Sequence, residues 1–276
     1  MVMNILNGQY LVEDGILEIK IQMNGMSGRV NRNLIYPNHM ASMLGSSVVI
    51  LTGAGISAES GVSTFRDNDG LWEEHRIEDV ATPHAWESNP ELVWHFYQTR
   101  RRQLLEVKPN PAHYALSKLE DGVKEFTLIT QNVDDLHERG GSSNVIHMHG
   151  RLRTLRCEVS KKYEERMEEE DLQNDFLFCT CCAEPNRVRP DIVWFGEMPM
   201  HLEEIYEAIE RCDYFMVIGS SGHVYPAAGL VNVAHSCGAK TILVNFEPPA
   251  NAFAFDEIHL GKAGEILPDL VNSWLE

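Results

Sequence analysis

The chain has 276 residues, 43% of them hydrophobic, a formal net charge of −18 and six cysteines. That length buries a sizeable core in one domain or in two unequal ones, and the negative charge excludes tracking along nucleic-acid phosphates, which needs Lys and Arg to displace counterions. No apolar run approaches the ~20 residues that cross a bilayer, and the first residues lack the basic and apolar regions of a secretory leader; the expectation is a cytoplasmic protein with no membrane partner and no direct nucleic-acid partner.

Residues 1–46 read as an N-terminal extension. "YLVEDGILEIKIQ" alternates around Asp14-Gly15 as a small hairpin does. "MNGMSGRVNRNLIYPNHMASM" is aperiodic and rich in Gly, Asn and Met, and is expected to be poorly ordered. From residue 47 onward strands and helices alternate. The runs "VVILTG" (48–53), "FTLITQN" (126–132), "DIVWFG" (191–196), "YFMVIGSS" (214–221) and "KTILVNFE" (240–247) have the uncharged centres of strands buried on both faces. Helix-like stretches lie between them, such as "NPELVWHFYQTRRRQLLEV", "NPAHYALSKLED", "HLEEIYEAIERC" and "AAGLVNVAHSCG". The pattern predicts an α/β fold, a Rossmann-like parallel sheet built from about 47–72, 125–150 and 190–276. Segments 73–110 and 151–190 are expected to form a smaller inserted helical and metal-binding module within a single 47–276 domain.

"GAGISA" satisfies G-x-G-x-x-G/A after a strand, so backbone N–H groups near Gly53 and Gly55 are placed to meet a pyrophosphate. A hydride-transferring dehydrogenase also needs a second buried strand ending in an acidic residue about 20 positions on. "ESGVSTFRDNDGLWEEHR" contains no such strand, which excludes that reading. It is instead an irregular polar loop, carrying Phe65, Arg66 and Trp72, long enough to close over a nucleotide. Cys157, Cys179, Cys181 and Cys182 fall in one short segment, a distribution that suits a metal in a reducing compartment. Cys212 and Cys237 read as small buried side chains.

In order, "GAGISAESGVSTFRDNDGLW", "TQNVDDLHERGG", "HMHG", "VRPDIVWFGEMP", "GSSGHVYPAAG" and "NFEP" together resemble the sirtuin family of NAD-dependent protein lysine deacylases, nearest to its bacterial CobB type. The resemblance covers about residues 47–275. It implies that NAD is a co-substrate, that acyl-lysine proteins or peptides are the partners, and that nicotinamide and O-acyl-ADP-ribose are the products. His149 matches the base that activates a ribose hydroxyl, and Asn132 acts beside it. Gly53, Ala54, Gly55, Ser57, Thr64, Phe65, Arg66, Trp72, Gln131, Asn132 and Asp134 match the NAD-binding blocks around the pyrophosphate, nicotinamide and its ribose. Gly219, Ser220 and Ser221 follow a buried strand, where an open parallel sheet binds its ligand, while Asn245 and Glu247 match the adenosine-ribose contacts and Ala263 the adenine wall.

Val193, Phe195 and Gly196 match an edge segment that pairs with a substrate peptide. Tyr97 and Arg100, three apart on one helix face, match a pair that receives dicarboxylic acyl groups, which implies removal of succinyl and malonyl as well as acetyl. The cysteines resemble the family's structural zinc site, but the first C-x₂-C is broken by Ser160: Cys157, Cys179 and Cys182 match with Cys181 spare. Either Cys181 or a group outside the segment then completes the shell, or zinc is weakly held or absent. Two other readings share the nucleotide cradle: mono-ADP-ribosyl transfer to protein, and a non-catalytic sensor of NAD or ADP-ribose.

Overall fold

In the computed structural model, which describes residues 9–13, 16–23, 26–30, 42–62, 71–72, 75–249 and 251–276, the apolar runs separate into two kinds of sheet. The strands are β1 (Gln9–Glu13), β2 (Ile16–Met23), β3 (Met26–Val30), β4 (Ser47–Thr52), β5 (Leu71–Trp72), β6 (His75–Arg76), β7 (Glu125–Thr130), β8 (Val145–His147), β9 (Gly150–Cys157), β10 (Tyr163–Glu165), β11 (Val188–Ile192), β12 (Tyr214–Ile218), β13 (Lys240–Asn245) and β14 (Glu257–Leu260). The α-helices are α1 (Ile77–Val80), α2 (Pro83–Ser88), α3 (Pro90–Glu106), α4 (Pro111–Gly122), α5 (Leu136–Arg139), α6 (Leu202–Glu210), α7 (Leu230–Ser236) and α8 (Ala263–Trp274).

Met1–Ala41 forms one unit and Ser42–Glu276 another. In the first, β2 pairs antiparallel with both β1 and β3, and Glu13 faces Ile16 across a two-residue connection. The third strand, β3, falls in the stretch that shows no periodicity in the sequence. In the second, Met43 is already part of the core, 1% exposed, with its amide donated to the Trp274 carbonyl at 2.7 Å.

The central sheet of this second unit has six parallel strands in the order β14-β13-β12-β4-β7-β8. Val48–Leu51, Phe215–Ile218 and Ile242–Val244 are almost wholly buried, as strands covered on both faces must be. Val49, Leu51, Ile129, Phe215, Val217 and Leu243 pack on one face against Ile205 and Ile209 of α6 and Leu230 and Val231 of α7. The chain runs outward from β4 through β7 and β8, then returns to place β12 on the other side of β4. The ends of β4 and β12 therefore flank the point where strand order reverses, the crevice in which open α/β sheets hold ligands.

A second core joins Val80, Trp86, Trp94, Tyr97 and Leu104 of α1, α2 and α3 to Leu155 and Cys157 of β9, Val188 of β11 and Trp194. "DIVWFG" is not a parallel strand: β11 ends at Ile192, pairs antiparallel with β9 and carries a register shift between Pro190 and Asp191. The ladder stops because the Val193 and Phe195 amides go to the carbonyls of His149 and Ala81, the Trp194 amide goes to the Glu197 carboxylate, and Gly196 turns at φ +93°. Directly after "GAGISA" the described residues form no α-helix. Bonds from Ile56 to Gly53 and from Ser57 to Ala54 wind two short 3₁₀ turns, Ala54–Ile56 and Ala58–Ser60, which end at Gly61 with φ +89°. Cys212 is buried as expected; Cys237 is exposed, because it follows the last residue of α7 beside Gly238.

Candidate active site

Gly53 and Gly55 follow β4, and Gly219 follows β12. A Cβ on Gly55 would lie 2.8 Å from the Gly219 Cα, and one on Gly219, whose φ is +64°, would lie 2.4 Å from the Ile56 nitrogen. The two loops touch backbone to backbone, which only glycine permits. The amides of the two glycines are themselves engaged, Gly53 donating to the Ile218 carbonyl and Gly55 to the Gly219 carbonyl, both at 2.9 Å. The glycines build the cradle's floor by close approach rather than by offering those N–H groups. Asn110, which sequence reasoning missed, fixes the same turn. Its Nδ2 donates to the Ile56 carbonyl at 2.7 Å and to Ser60 Oγ at 3.0 Å, while its Oδ1 caps α4 at the Ala112 amide. An Asn-Pro pair signals the cap in the sequence but not this second use.

Behind the cradle, the segment after β7 meets the turn after β4 and brings Asn132, Ser57 and Asp134 together. Asn132 Nδ2 donates to the Gly53 carbonyl at 3.2 Å and to Ser57 Oγ at 3.1 Å, and Ser57 Oγ donates to Asp134 Oδ2 at 3.0 Å. Both Asn132 donors point at acceptors, so its Oδ1 faces the other way as an acceptor. Asp134 also accepts from the Leu136 amide; burial pushes its carboxyl upward, opposed by these hydrogen bonds. Gln131 Nε2 donates to Ser220 Oγ at 3.0 Å, tying the end of β7 to the end of β12.

His149 is partly buried and its Nδ1 lies 3.1 Å from the Gln131 carbonyl. Burial holds its pKa below the ordinary histidine value, against the opposing pull of that carbonyl. His147 sits on the other side of the strand end, 4% exposed, with Nδ1 3.3 Å from the Asn132 carbonyl and Nε2 2.8 Å from Glu138 Oε1.

On the far side of the crevice, Asn245 Nδ2 spans the Ser220 and Glu247 carbonyls at 3.1 and 2.9 Å. Ser221 is half-buried and Glu247 exposed. Ala263 is the buried first residue of α8, and the next amide, of Gly264, donates to Glu59 at 2.7 Å. Thr64, Phe65 and Arg66 lie outside the described residues; Trp72 is in β5.

Val193 is joined to this centre directly, its amide 2.9 Å from the carbonyl of His149. Phe195 is 47% exposed, and Gly196 is exposed. On α3, Tyr97 is fully buried and Arg100 is 6% exposed, its guanidinium carbon 3.7 Å from the centroid of the Phe96 ring. Burial raises the Tyr97 pKa above its ordinary value, keeping the hydroxyl protonated.

The Sγ atoms of Cys157, Cys179, Cys181 and Cys182 all lie within 4.8 Å of one another, with Cys157 and Cys182 3.9 Å apart and Cys181 and Cys182 3.8 Å apart. A tetrahedral zinc with Zn–S bonds of about 2.3 Å needs sulfur pairs about 3.8 Å apart. The donor set fits that ion, and the fourth sulfur is Cys181, which takes the corner left by Ser160; Ser160 Oγ is 3.0 Å from it. Hydrogen bonds from Ser160 draw the Cys157 pKa down; at Cys181 the pull of Ser160 is outweighed by burial and the neighbouring sulfurs, which push that thiol up, as expected of four thiols crowded together.

The Sir2 family profile matches residues 53–226 of this chain. An NAD-dependent protein deacylase of Vibrio cholerae is 54% identical over 231 residues, which cover 83% of this chain and 93% of that protein. Among solved structures, a Sir2 homologue in complex with NAD superposes with a TM-score of 0.77 at 38% identity, covering 87% of this chain and 98% of that one. A relative bound to a myristoylated histone peptide superposes with a TM-score of 0.65 at 37% identity, covering 82% and 90% of the two chains.

Proposed function

This chain belongs to the Sir2 family, and from that premise we propose that it is an NAD-dependent protein lysine deacylase acting on acetyl-, succinyl- and malonyl-lysine, with nicotinamide and O-acyl-ADP-ribose as products. The observation that carries the reading is the convergence of His149, Asn132, Ser57 and Asp134 at the strand-reversal point, beside the glycine cradle. NAD supplies a ribose carbon that becomes electrophilic as its bond to nicotinamide breaks, and the acyl oxygen of the lysine substrate is captured there.

The residues of this chain orient and move protons around that exchange. Asn132 presents Oδ1 because its amide hydrogens are committed to Gly53 and Ser57, which suits acceptance from a ribose hydroxyl. Asp134, held by Ser57, offers a carboxylate to the N–H groups of a carboxamide. The Gln131 carbonyl leaves His149 with a bare Nε2, the form a general base needs. Cys157, Cys179, Cys181 and Cys182 would hold a zinc ion in the small module, and it would cross-link β9 to the 179–182 segment. Thiols kept reduced for that site support a cytoplasmic setting.

For acyl choice, the support is the buried pair on α3: a distal carboxylate is a pure acceptor, and Tyr97 and Arg100 are donors. The test is nicotinamide release from NAD with acetyl, succinyl and malonyl peptides of one sequence. Release with all three, dependent on the peptide, supports the reading; release without acyl loss would favour ADP-ribosyl transfer, and none at all a sensor.

A further inference from the structure

We infer that Trp194 is a positioning residue for acyl selectivity, acting by fixing the hydroxyl of Tyr97; the inference rests on the reading of Tyr97 and Arg100 as the receptor of the acyl carboxylate. The Trp194 indole Nε1 donates to Tyr97 Oη at 3.0 Å, between residues 97 positions apart. An indole N–H can only donate, so Tyr97 Oη accepts at that position. Its own hydrogen is turned away from Trp194. A phenol constrained in this way is a directed donor, the property needed to receive a carboxylate, and its burial keeps that hydrogen in place.

Trp194 is itself held tightly. It is 1% exposed, and the Arg189 guanidinium carbon lies 3.5 Å from the centroid of its ring. Arg189 grips both Glu197 carboxylate oxygens at 2.9 Å, and the same Glu197 accepts the Trp194 amide at 2.9 Å. The Trp86 ring lies 5.8 Å away on another side. The indole therefore enters the Tyr97 contact from a fixed direction, and it bridges two elements, the segment after β11 and helix α3. Acetyl groups carry no distal carboxylate and have no use for the orientation of that hydroxyl. Succinyl and malonyl groups do.

The experiment uses the full chain with NAD and paired acetyl- and succinyl-lysine peptides. Trp194→Phe keeps an aromatic ring and removes the donor together with part of the indole's volume, and the Tyr97→Phe background separates the two effects. The expected result is a fall of about three- to tenfold in the succinyl-to-acetyl ratio of kcat/KM, the scale of one hydrogen bond. In a Tyr97→Phe background, where the acceptor is gone, Trp194→Phe should move the ratio no further. An unchanged ratio in the single variant, or a full effect persisting without the Tyr97 hydroxyl, would overturn the inference.

Should Trp194→Phe fail to fold, the indole ¹⁵N–¹H resonances of the unaltered chain give a second reading. The resonance that shifts in Tyr97→Phe should also shift on adding succinyl peptide and stay still with acetyl peptide; equal responses would count against the role. The two levels separate cleanly. No succinyl turnover by the unaltered chain sinks the acyl-carboxylate reading and this inference with it, whereas Arg100-dependent succinyl turnover with an unmoved ratio sinks Trp194 alone.

Discussion

His149 Nδ1 and the Gln131 carbonyl oxygen lie 3.1 Å apart. A carbonyl only accepts, so the neutral ring carries its proton on Nδ1 and keeps its lone pair on Nε2. His149→Ala should lower deacylation by about 10²–10⁴-fold, the usual worth of general base catalysis, with NAD binding retained by calorimetry. The pH profile follows from the depressed pKa. Because the charged form is disfavoured, the competent neutral ring survives to lower pH than in an exposed histidine. The acid limb of kcat/KM should lie below the ordinary value of about 6.5, and a limb above it would remove His149 from the role.

Gly219→Ala places a Cβ 2.4 Å from the Ile56 nitrogen at a residue with φ +64°. Gly61→Ala has a similar φ, +89°, but no atom of the other described residues within 4 Å. The second variant should lose about 1–2 kcal/mol from left-handed backbone alone; the first should lose more and weaken NAD binding as the two loops part. Urea titrations and NAD calorimetry on both variants check this, and equal losses would deny the cradle its dependence on close packing.

Arg100→Met should depress desuccinylation far more than deacetylation. A distal carboxylate left without its buried counter-charge costs about 3–5 kcal/mol, which is roughly two to four decades in succinyl kcat/KM. An equal fall with both acyl groups would assign Arg100 to folding, through its stacking on Phe96.

Metal analysis of protein prepared under reducing conditions should find about one zinc per chain. Cys181→Ser should weaken zinc retention and lower the melting temperature, since metal bound only by the folded state adds to its stability. Ser160→Cys in that background should restore both, because the side chain at 160 already lies beside Cys181 Sγ. Full retention of zinc by Cys181→Ser would return the fourth corner to another group.

Where the chain makes regular structure, the sequence is readable: β4, β7, β12 and β13 carry the apolar runs that a doubly covered sheet demands. "DIVWFG" misleads because a run of apolar residues does not say which sheet it joins, and the ending of β11 is decided by Glu197 and Gly196, which lie at or beyond its last residues. The glycines after β4 mark a close approach, but only the chain crossing from β12 shows that their amides are spent on it. Asn110 is legible as a cap and opaque as a brace for the Ile56 turn, since its second partner is 54 residues away. Cys181 could be offered as a fourth sulfur from spacing; its distance from the other three is a tertiary fact.

The antiparallel pair of β9 and β11 has Cys157 opposite Val188 at one end, and just past the other end the His149 carbonyl holds the Val193 amide. Between these ends, Gly150 sits so close that a Cβ there would be 1.9 Å from the Asp191 carbonyl. The thiol cluster, His149 and the 193–196 segment are strung on one ladder like weights on a common beam. The ladder is also tied to the crevice, since the Leu152 amide of β9 meets the Val133 carbonyl at 2.8 Å and the Gln131 carbonyl holds His149 at 3.1 Å. Stripping the metal from one end is therefore expected to loosen what the other end holds.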